Sequence, residues 1–147
     1  MPQASRLATT AVPQVLLVED NPADARLLHE ALQEASPGLV LKTASTVAAA
    51  WEYLEGHKNG DALPNLIILD LNLPGAPGFE LLDRLRNTWT LSWIPVVVLT
   101  SSSREQDVQQ ARGARADAYF VKPLDLRGYL QLAADLGHLW IGRPGGR

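Results

Sequence analysis

The sequence predicts an α/β fold in which five parallel strands form a doubly wound sheet with helices on both faces. Short runs rich in Val, Ile and Leu begin near residues 15, 39, 66, 95 and 118, so they recur every 23 to 29 residues. The segments between these runs carry apolar residues at helical spacing. This alternation is typical of consecutive βα units, which build a parallel sheet through right-handed crossovers.

Each predicted strand is a short apolar run. In chain order the runs are Val15–Val18, Leu39–Leu41, Leu66–Leu69, Pro95–Leu99 and Ala118–Val121. Aliphatic residues dominate the first, third and fourth runs, as expected for strands that are covered on both faces. For five such strands we expect the common flavodoxin-like order 2-1-3-4-5.

The helices are predicted from apolar stripes and from residues that favour a helix start. Four stripes lie at Leu27, Leu28, Ala31, Leu32 and Ala35; at Val47, Ala50, Trp51 and Leu54; at Phe79, Leu81, Leu82 and Leu85; and at Leu126, Tyr129, Leu130, Ala133 and Leu136. Pro22 suits the first turn of the first helix. Ser45 and Asp125 are the predicted N-caps of the second and fifth helices, and Ser103 opens a capping box for a shorter fourth one.

Composition limits the possible functions of the chain. Its 147 residues suit one domain, predicted over residues 14–141, with a flexible lead-in over residues 1–13 and a flexible tail over residues 142–147. The net charge of −3 provides no basic field for a nucleic-acid partner. The absence of cysteine excludes disulfides, Cys-ligated zinc and thiol catalysis.

Nothing in the sequence predicts a membrane partner. No apolar run approaches the roughly 18 residues that a membrane helix needs. The first 13 residues also lack the basic and apolar regions of a signal peptide. We therefore expect a cytoplasmic protein.

Reactive polar side chains follow four of the five predicted strands, at the point where each strand ends. They are Glu19 and Asp20 after the first, Asp70 after the third, Thr100 after the fourth and Lys122 after the fifth. Because ligands of open parallel sheets bind beyond the carboxyl ends of the strands, these side chains are candidates for one site. Three neighbouring carboxylates repel one another without a cation, and a purely oxygen ligand set indicates Mg²⁺.

A magnesium ion held in this way keeps open positions that phosphate oxygens can take. Lys122 could then pair with a phosphoryl oxygen, and Thr100 could donate a hydrogen bond to another. One carboxylate would serve as the nucleophile and form an acyl phosphate, and the central residue, Asp70, is the best placed.

Other interpretations of these residues exist. Each acid alone could be an N-cap or a solvated loop residue. A phosphatase of the haloacid-dehalogenase type would need a second acid two residues after the nucleophile, where Asn72 stands. A flavodoxin-like FMN carrier would need a hydroxyl-rich loop after the first strand, where Glu19 and Asp20 would repel the phosphate.

Four motifs together resemble the response-regulator receiver domain of two-component signalling. They are Val-Glu-Asp-Asn-Pro at 18–22, Leu-Asp-Leu-Asn-Leu-Pro-Gly at 69–75, Pro-Val-Val-Val-Leu-Thr-Ser at 95–101 and Tyr-Phe-Val-Lys-Pro at 119–123. The resemblance covers residues 14–139 and is nearest to the stand-alone receivers paired with phytochrome-type histidine kinases.

The resemblance implies a signalling phosphoacceptor and not an enzyme acting on a separate substrate. Asp70 would accept the phosphoryl group from the kinase in a Mg²⁺-dependent reaction and later lose it by self-dephosphorylation. Glu19, Asp20 and Asp70 would bind the Mg²⁺ together with the backbone carbonyl of Asn72. A pseudo-receiver, which keeps the fold without phosphotransfer, is the main alternative.

The resemblance also implies roles for the residues around the phosphoryl group. Thr100 and Lys122 would hold it, and Tyr119 would be the aromatic switch residue that turns inward once Thr100 engages it. Asn72 and Ser102 occupy positions that tune the lifetime of the phosphoryl group in this family. The family further implies a cis peptide between Lys122 and Pro123.

Output would come through protein contact, since the chain shows no effector segment. The apolar stretch Leu139-Trp140-Ile141 follows the expected end of the fifth helix. Because tryptophan is enriched at interfaces, we expect a homodimer formed by this stretch and the face of the fourth helix, fifth strand and fifth helix. The alternative is that the stretch packs back onto its own domain.

Overall fold

The computed structural model describes residues 12–57 and 63–141, which form a five-stranded parallel sheet with helices on both faces. The strands are β1 (Gln14–Val18), β2 (Val40–Ala44), β3 (Leu66–Leu69), β4 (Val96–Thr100) and β5 (Ala118–Val121). The helices are α1 (Pro22–Ala35), α2 (Val47–His57), α3 (Gly78–Arg86), α4 (Glu105–Gly113) and α5 (Leu126–Leu136). The strand order is β2-β1-β3-β4-β5, so the predicted fold class and order are confirmed.

Each face of the sheet has its own apolar core, because successive strand residues point to opposite sides. On one face, Val15 and Leu17 of β1 pack with α1 and α5. On the other face, Leu16 and Val18 pack with α2 and α3. This two-sided burial explains why the central strands are continuous apolar runs and not alternating ones.

Strand β2 differs from its predicted extent. The apolar run ends at Leu41, but the strand runs from Val40 to Ala44 and includes the exposed residues Lys42 and Thr43. It is an edge strand, paired only with β1 among the described strands. An edge strand tolerates polar residues where it faces solvent. The apolar run therefore predicted only part of β2.

The helix starts match the prediction in two cases and differ by one residue in two others. Asn21 caps α1 ahead of Pro22, and Asp125 caps α5 by accepting from the Gly128 N–H (2.9 Å). The predicted caps Ser45 and Ser103 are wrong, as are the helix starts that they implied.

The neighbouring hydroxyl is the cap of α2, whereas α4 begins after Arg104 with no side-chain cap. Helix α2 begins at Val47, so Thr46 is its cap and accepts from the Ala49 N–H (3.0 Å). Before α4, the Ser102 hydroxyl accepts from the Arg104 N–H (3.2 Å). Adjacent hydroxyl residues have the same capping chemistry, so only the backbone position decides between them.

The segment after α5 folds back onto the domain. A π-helical turn spans Gly137–Ile141, and its half-buried Trp140 packs against the core between α1 and α5. Trp140 therefore packs back onto its own domain, which was the alternative to the predicted homodimer contact. Among the described residues, no helix combines the length and the apolar character needed to cross a membrane. The predicted tail over residues 142–147, and all of the predicted lead-in except residues 12 and 13, lie outside the described residues.

Candidate functional site

The carboxyl ends of β1, β3, β4 and β5 meet at one edge of the sheet, and the structure brings the predicted side chains together there. The backbone ladder continues past the strands, since the Asp70 N–H donates to the Val18 carbonyl (3.0 Å) and the Lys122 N–H donates to the Thr100 carbonyl (2.7 Å). These bonds fix the backbone from which the reactive side chains project.

Three carboxylates form the acidic part of the site. Oxygen atoms of Glu19, Asp20 and Asp70 lie within 4.8 Å of one another, with Glu19 and Asp70 buried and Asp20 exposed. Burial raises the pKa of Glu19 above its ordinary value; hydrogen bonds from Lys122 and from the Asn21 backbone oppose this shift, and the charge of Asp70 adds to it. The cluster is therefore electrostatically unfavourable without cations.

Lys122 supplies one cation at the centre of the cluster. Its ammonium lies 2.8 Å from Glu19 Oε1, 2.8 Å from Asp24 Oδ2 and 3.0 Å from Asp70 Oδ2, and its side chain is only 11% exposed. Burial by itself would lower the pKa of Lys122, but the three carboxylates outweigh burial and raise it above its ordinary value. Lys122 is therefore charged and has a carboxylate for each of its three N–H donors.

Asp24 is the site residue that the sequence analysis missed. It lies in the first turn of α1, where the capping oxygen of Asn21 accepts from its N–H (3.0 Å). An acid in a first helical turn is usually explained by the helix dipole. The available signal was its position one turn beyond the end of β1, on the same edge of the sheet as Lys122.

The loop after β3 orients Asp70. The Asn72 N–H donates to Asp70 Oδ1 (3.1 Å), and the Asn72 side-chain amide lies 3.4 Å from Thr100 Oγ1. The loop closes where the Gly78 N–H donates to the Leu71 carbonyl (3.0 Å). A Cβ at Gly78 would collide with the Asp70 backbone, so the close approach of α3 to β3 requires glycine there.

Thr100 and Tyr119 lie beside the loop between β4 and α4. Thr100 is fully buried, and the Tyr119 hydroxyl donates to the Ser102 carbonyl (2.8 Å). Burial raises the pKa of Tyr119, so it stays a neutral donor. The Ser102 side chain is also engaged, because its hydroxyl donates to Asp107 of α4 (2.5 Å). The structure thus ties Tyr119 and α4 to the same short loop.

The peptide between Lys122 and Pro123 is trans, contrary to the expectation from the resemblance, and the described residues contain no cis peptide. Trans is the ordinary preference of an X–Pro bond. Pro123 packs tightly against α5, since a Cβ at Gly128 would lie only 2.6 Å from the Pro123 Cβ.

The donor set fits a hard divalent cation. Glu19, Asp20 and Asp70 each offer a carboxylate oxygen, and Asp24 adds a fourth negative charge against the Lys122 ammonium. Mg²⁺ prefers such oxygen ligands and keeps several of its waters. Because Asp20 is exposed, a cation held by these carboxylates would be accessible from solvent.

The family model for the response regulator receiver domain matches residues 15–134. The chain belongs to this family. The match spans all five strands and most of α5, and it contains every residue described above for the site.

Relatives of this receiver include response regulators of phytochromes. The response regulator Rcp1 of Synechocystis is 34% identical over 129 residues, covering 86% of this chain and 88% of Rcp1. The solved structure of the phosphorylated cyanobacterial phytochrome response regulator RcpA is 35% identical, with a TM-score of 0.81, and the match covers 88% of this chain and 94% of RcpA.

Two further solved structures are similar. The Mn²⁺-bound form of Rcp1 has a TM-score of 0.78 at 34% identity, covering 88% of this chain and 94% of that one. The bacteriophytochrome response regulator RtBRR has a TM-score of 0.72 at 34% identity, covering 91% of this chain and 84% of that one. The predicted resemblance to response regulators of phytochrome systems is therefore confirmed.

Proposed function

We propose that this receiver acts as a single-domain response regulator that accepts a phosphoryl group on Asp70 from a sensor histidine kinase. The observation that carries the proposal is the setting of the Asp70 carboxylate. It is buried between the Lys122 ammonium, the Asn72 N–H and the acids Glu19 and Asp20. An isolated aspartate would be a weak nucleophile. Here the Lys122 ammonium and a metal ion can both lie beside its carboxylate.

In the proposed reaction, an Asp70 oxygen attacks the phosphorus of a phosphohistidine on the kinase. The new O–P bond forms as the N–P bond breaks, and the electron pair of that bond returns to the imidazole nitrogen. The Thr100 hydroxyl and the Lys122 ammonium bind oxygens of the transferred group. Water later attacks the phosphorus, which releases phosphate and restores the carboxylate.

Glu19, Asp20 and Asp70, with the backbone carbonyl of Asn72, would hold a Mg²⁺ ion that offsets the negative charge of the incoming group. The need for such charge follows from the excess of acids: three carboxylates share the Lys122 ammonium, and Asp20 adds a fourth negative charge beside Glu19 and Asp70. As the family resemblance implies, the side chains of Asn72 and Ser102 would tune the lifetime of the acyl phosphate.

The output of the switch would pass through the loop after β4. When Thr100 engages the phosphoryl group, the loop that carries Ser102 shifts, and Tyr119 exchanges its hydrogen bond for an inward position. Exposed apolar side chains lie on the neighbouring face of α4, β5 and α5, and these are Val121, Leu124, Leu126 and Leu130. We propose that this face binds a partner, with a second copy of the chain as one candidate.

The names of the phytochrome response regulator RcpA and the bacteriophytochrome response regulator RtBRR support a kinase of the phytochrome type, and hence a light-signalling system. The test is phosphotransfer from phytochrome-type histidine kinases in Mg²⁺, followed by intact mass. Wild type should gain one phosphoryl group, and Asp70→Asn should gain none. Asp135→Asn, which changes an exposed acid of α5, should behave as wild type.

Label that persists in Asp70→Asn would contradict the assignment of Asp70. Light scattering on the same samples tests the dimer, since a mass that doubles on phosphorylation supports it. A monomeric mass with and without the phosphoryl group would reject the second copy as the partner.

A further inference from the structure

The Lys122 ammonium has three N–H donors, and each of them has a carboxylate acceptor. The acceptors are Glu19 Oε1 (2.8 Å), Asp24 Oδ2 (2.8 Å) and Asp70 Oδ2 (3.0 Å). Because the Lys122 side chain is buried, these carboxylates and not water satisfy its donors. A phosphoryl oxygen that binds Lys122 must therefore take a donor from one of the three carboxylates.

Asp24 is the acceptor that a phosphoryl group would displace. Glu19 and Asp70 belong to the carboxylate cluster suited to a metal ion, and Asp24 lies outside that cluster. The Asp24 side chain is 29% exposed, whereas those of Glu19 and Asp70 are 3% and 5% exposed. Water can therefore solvate the Asp24 carboxylate once the ammonium has left it, which burial prevents for the other two.

Asp24 is held in place by the start of α1. Its N–H donates to the capping oxygen of Asn21 (3.0 Å), and the Asn21 N–H donates in turn to Glu19 Oε2 (3.0 Å). An ion pair between two exposed side chains is usually weak, since both side chains must be ordered to form it. Here the ammonium is buried and the backbone of its acceptor is fixed, so the contact between Asp24 and Lys122 is part of the site.

We propose that Asp24 is a positioning residue that holds the Lys122 ammonium in its unphosphorylated position, and that a phosphoryl group on Asp70 must take Lys122 away from Asp24. The pair with Asp24 then stabilises the unphosphorylated receiver relative to the phosphorylated one. Asp24 thereby lowers the affinity of the site for a phosphoryl group. This inference rests on the proposed function of Asp70.

The first test is the affinity for beryllofluoride with Mg²⁺, a phosphoryl analogue, measured by ¹⁹F NMR. Asp24→Asn keeps the size of the side chain and removes the carboxylate that competes for Lys122. The variant should bind beryllofluoride about fivefold more tightly, the scale of a partly exposed ion pair. Glu34→Gln is the matched control, because it makes the same charge change at an exposed residue of α1, and its affinity should stay within about twofold of wild type.

The second test is the ¹⁵Nζ resonance of Lys122, which separates competition for the ammonium from simple repulsion of the phosphoryl group by a nearby acid. The chain has three lysines, so lysine labelling gives a short spectrum. The Lys122 resonance should differ between wild type and Asp24→Asn in the unliganded proteins and should coincide once beryllofluoride is bound, because the bound ammonium no longer contacts residue 24. The resonance of Lys42, an exposed residue of β2, should be the same in all four spectra.

Neither test depends on a variant that unfolds. Asn21 caps α1 through the backbone N–H of residue 24, which every side chain at that position keeps. Asp24→Ala is therefore a second variant with the same expected tightening, and thermal unfolding verifies that both variants fold.

The outcomes separate the two proposals. Wild type that fails to bind beryllofluoride overturns the proposed function and this inference together. If wild type binds, an unchanged or weaker affinity of the two folded Asp24 variants overturns the inference alone. So does a Lys122 resonance that differs between wild type and Asp24→Asn as much with beryllofluoride as without it, because Lys122 would then have kept its contact with Asp24.

Discussion

A buried cation lies at each end of the parallel strands: Arg86 at their amino ends (the amino edge) and Lys122 at their carboxyl ends (the carboxyl edge). The charges around the two cations differ. At the amino edge, the Arg86 side chain is 8% exposed and its guanidinium uses four of its five N–H donors. It donates to the carbonyls of Arg115 (3.0 Å), Ser92 (3.1 Å) and Ile94 (2.9 Å) and pairs with Asp117 (2.9 Å). One positive charge meets one negative charge, and backbone carbonyls accept from three further N–H groups.

At the carboxyl edge, the Lys122 ammonium is shared by Glu19, Asp24 and Asp70, with Asp20 close by. Negative charge is in excess there, and a phosphoryl group or a metal ion changes the balance. A buried cation therefore indicates function when its surroundings leave charge unmatched. A matched cation such as Arg86 indicates stability.

The largest expected effect comes from breaking the matched edge. Arg86→Met leaves three carbonyls without their donor and Asp117 without its cation, so we expect the free energy of unfolding to fall by about 3 kcal/mol. Urea unfolding measures it. Arg84→Met is the control, because Arg84 is exposed and stacks on Trp51 at 4.2 Å, an interaction worth about 1 kcal/mol or less.

Equal losses in the two variants would show that Arg86 does not hold the amino edge together. The affinity of folded Arg86→Met for beryllofluoride, a phosphoryl analogue, should stay within about twofold of that of wild type. A large loss there would mean that the two edges are coupled and that the comparison is wrong.

The next effect comes from supplying charge to the unmatched edge. Mg²⁺ at one hundred times its Kd should raise the free energy of unfolding by about 2.7 kcal/mol, because it binds only the folded acidic cluster. Thermal unfolding with and without Mg²⁺ measures this. Asp20→Asn removes the exposed ligand and should lose most of the effect, whereas Asp135→Asn should keep it.

Equal stabilisation of wild type and Asp20→Asn by Mg²⁺ would show that the ion binds outside the cluster of Glu19, Asp20 and Asp70.

The smallest effect concerns a matched contact within the carboxyl edge. The hydrogen bond from Ser102 lowers the pKa of Asp107 below its ordinary 3.8. A lowered folded pKa stabilises the protein above that ordinary value, and the stabilisation disappears as the pH falls through the folded pKa. Ser102→Ala should therefore be slightly less stable than wild type at neutral pH, and the difference should shrink below pH 3.8.

The test is the free energy of unfolding of wild type and Ser102→Ala across this pH range, with Ser103→Ala as the control. A difference that is independent of pH, or one that Ser103→Ala reproduces, would exclude the hydrogen bond to Asp107 as the cause.

The sequence predicted the fold and the central acids because each depends on local chemistry. Aliphatic runs identify buried strands, and a parallel sheet gathers whatever follows them at one edge. Glu19, Asp70 and Lys122 could therefore be placed together before any coordinates. The same reasoning could not choose between Thr46 and Ser45 as the cap of α2, and it predicted a cap for α4 that the helix lacks, because both depend on where the backbone enters the helix.

Asp24 was missed for a different reason. Its partner Lys122 is 98 residues away along the chain, and the contact exists only because α1 and β5 reach the same edge. Pairings across the fold are determined by tertiary geometry, which local patterns do not encode.

The most direct test of the central claim is chemical identification of the phosphorylated residue. Borohydride reduces an aspartyl phosphate to homoserine, and peptide mass spectrometry locates it. After phosphotransfer in Mg²⁺, we predict homoserine at position 70 and at no other acid. Homoserine at position 20 or 24, or a phosphoryl group that resists borohydride because it is on histidine, would contradict the assignment of Asp70 as the phosphoacceptor.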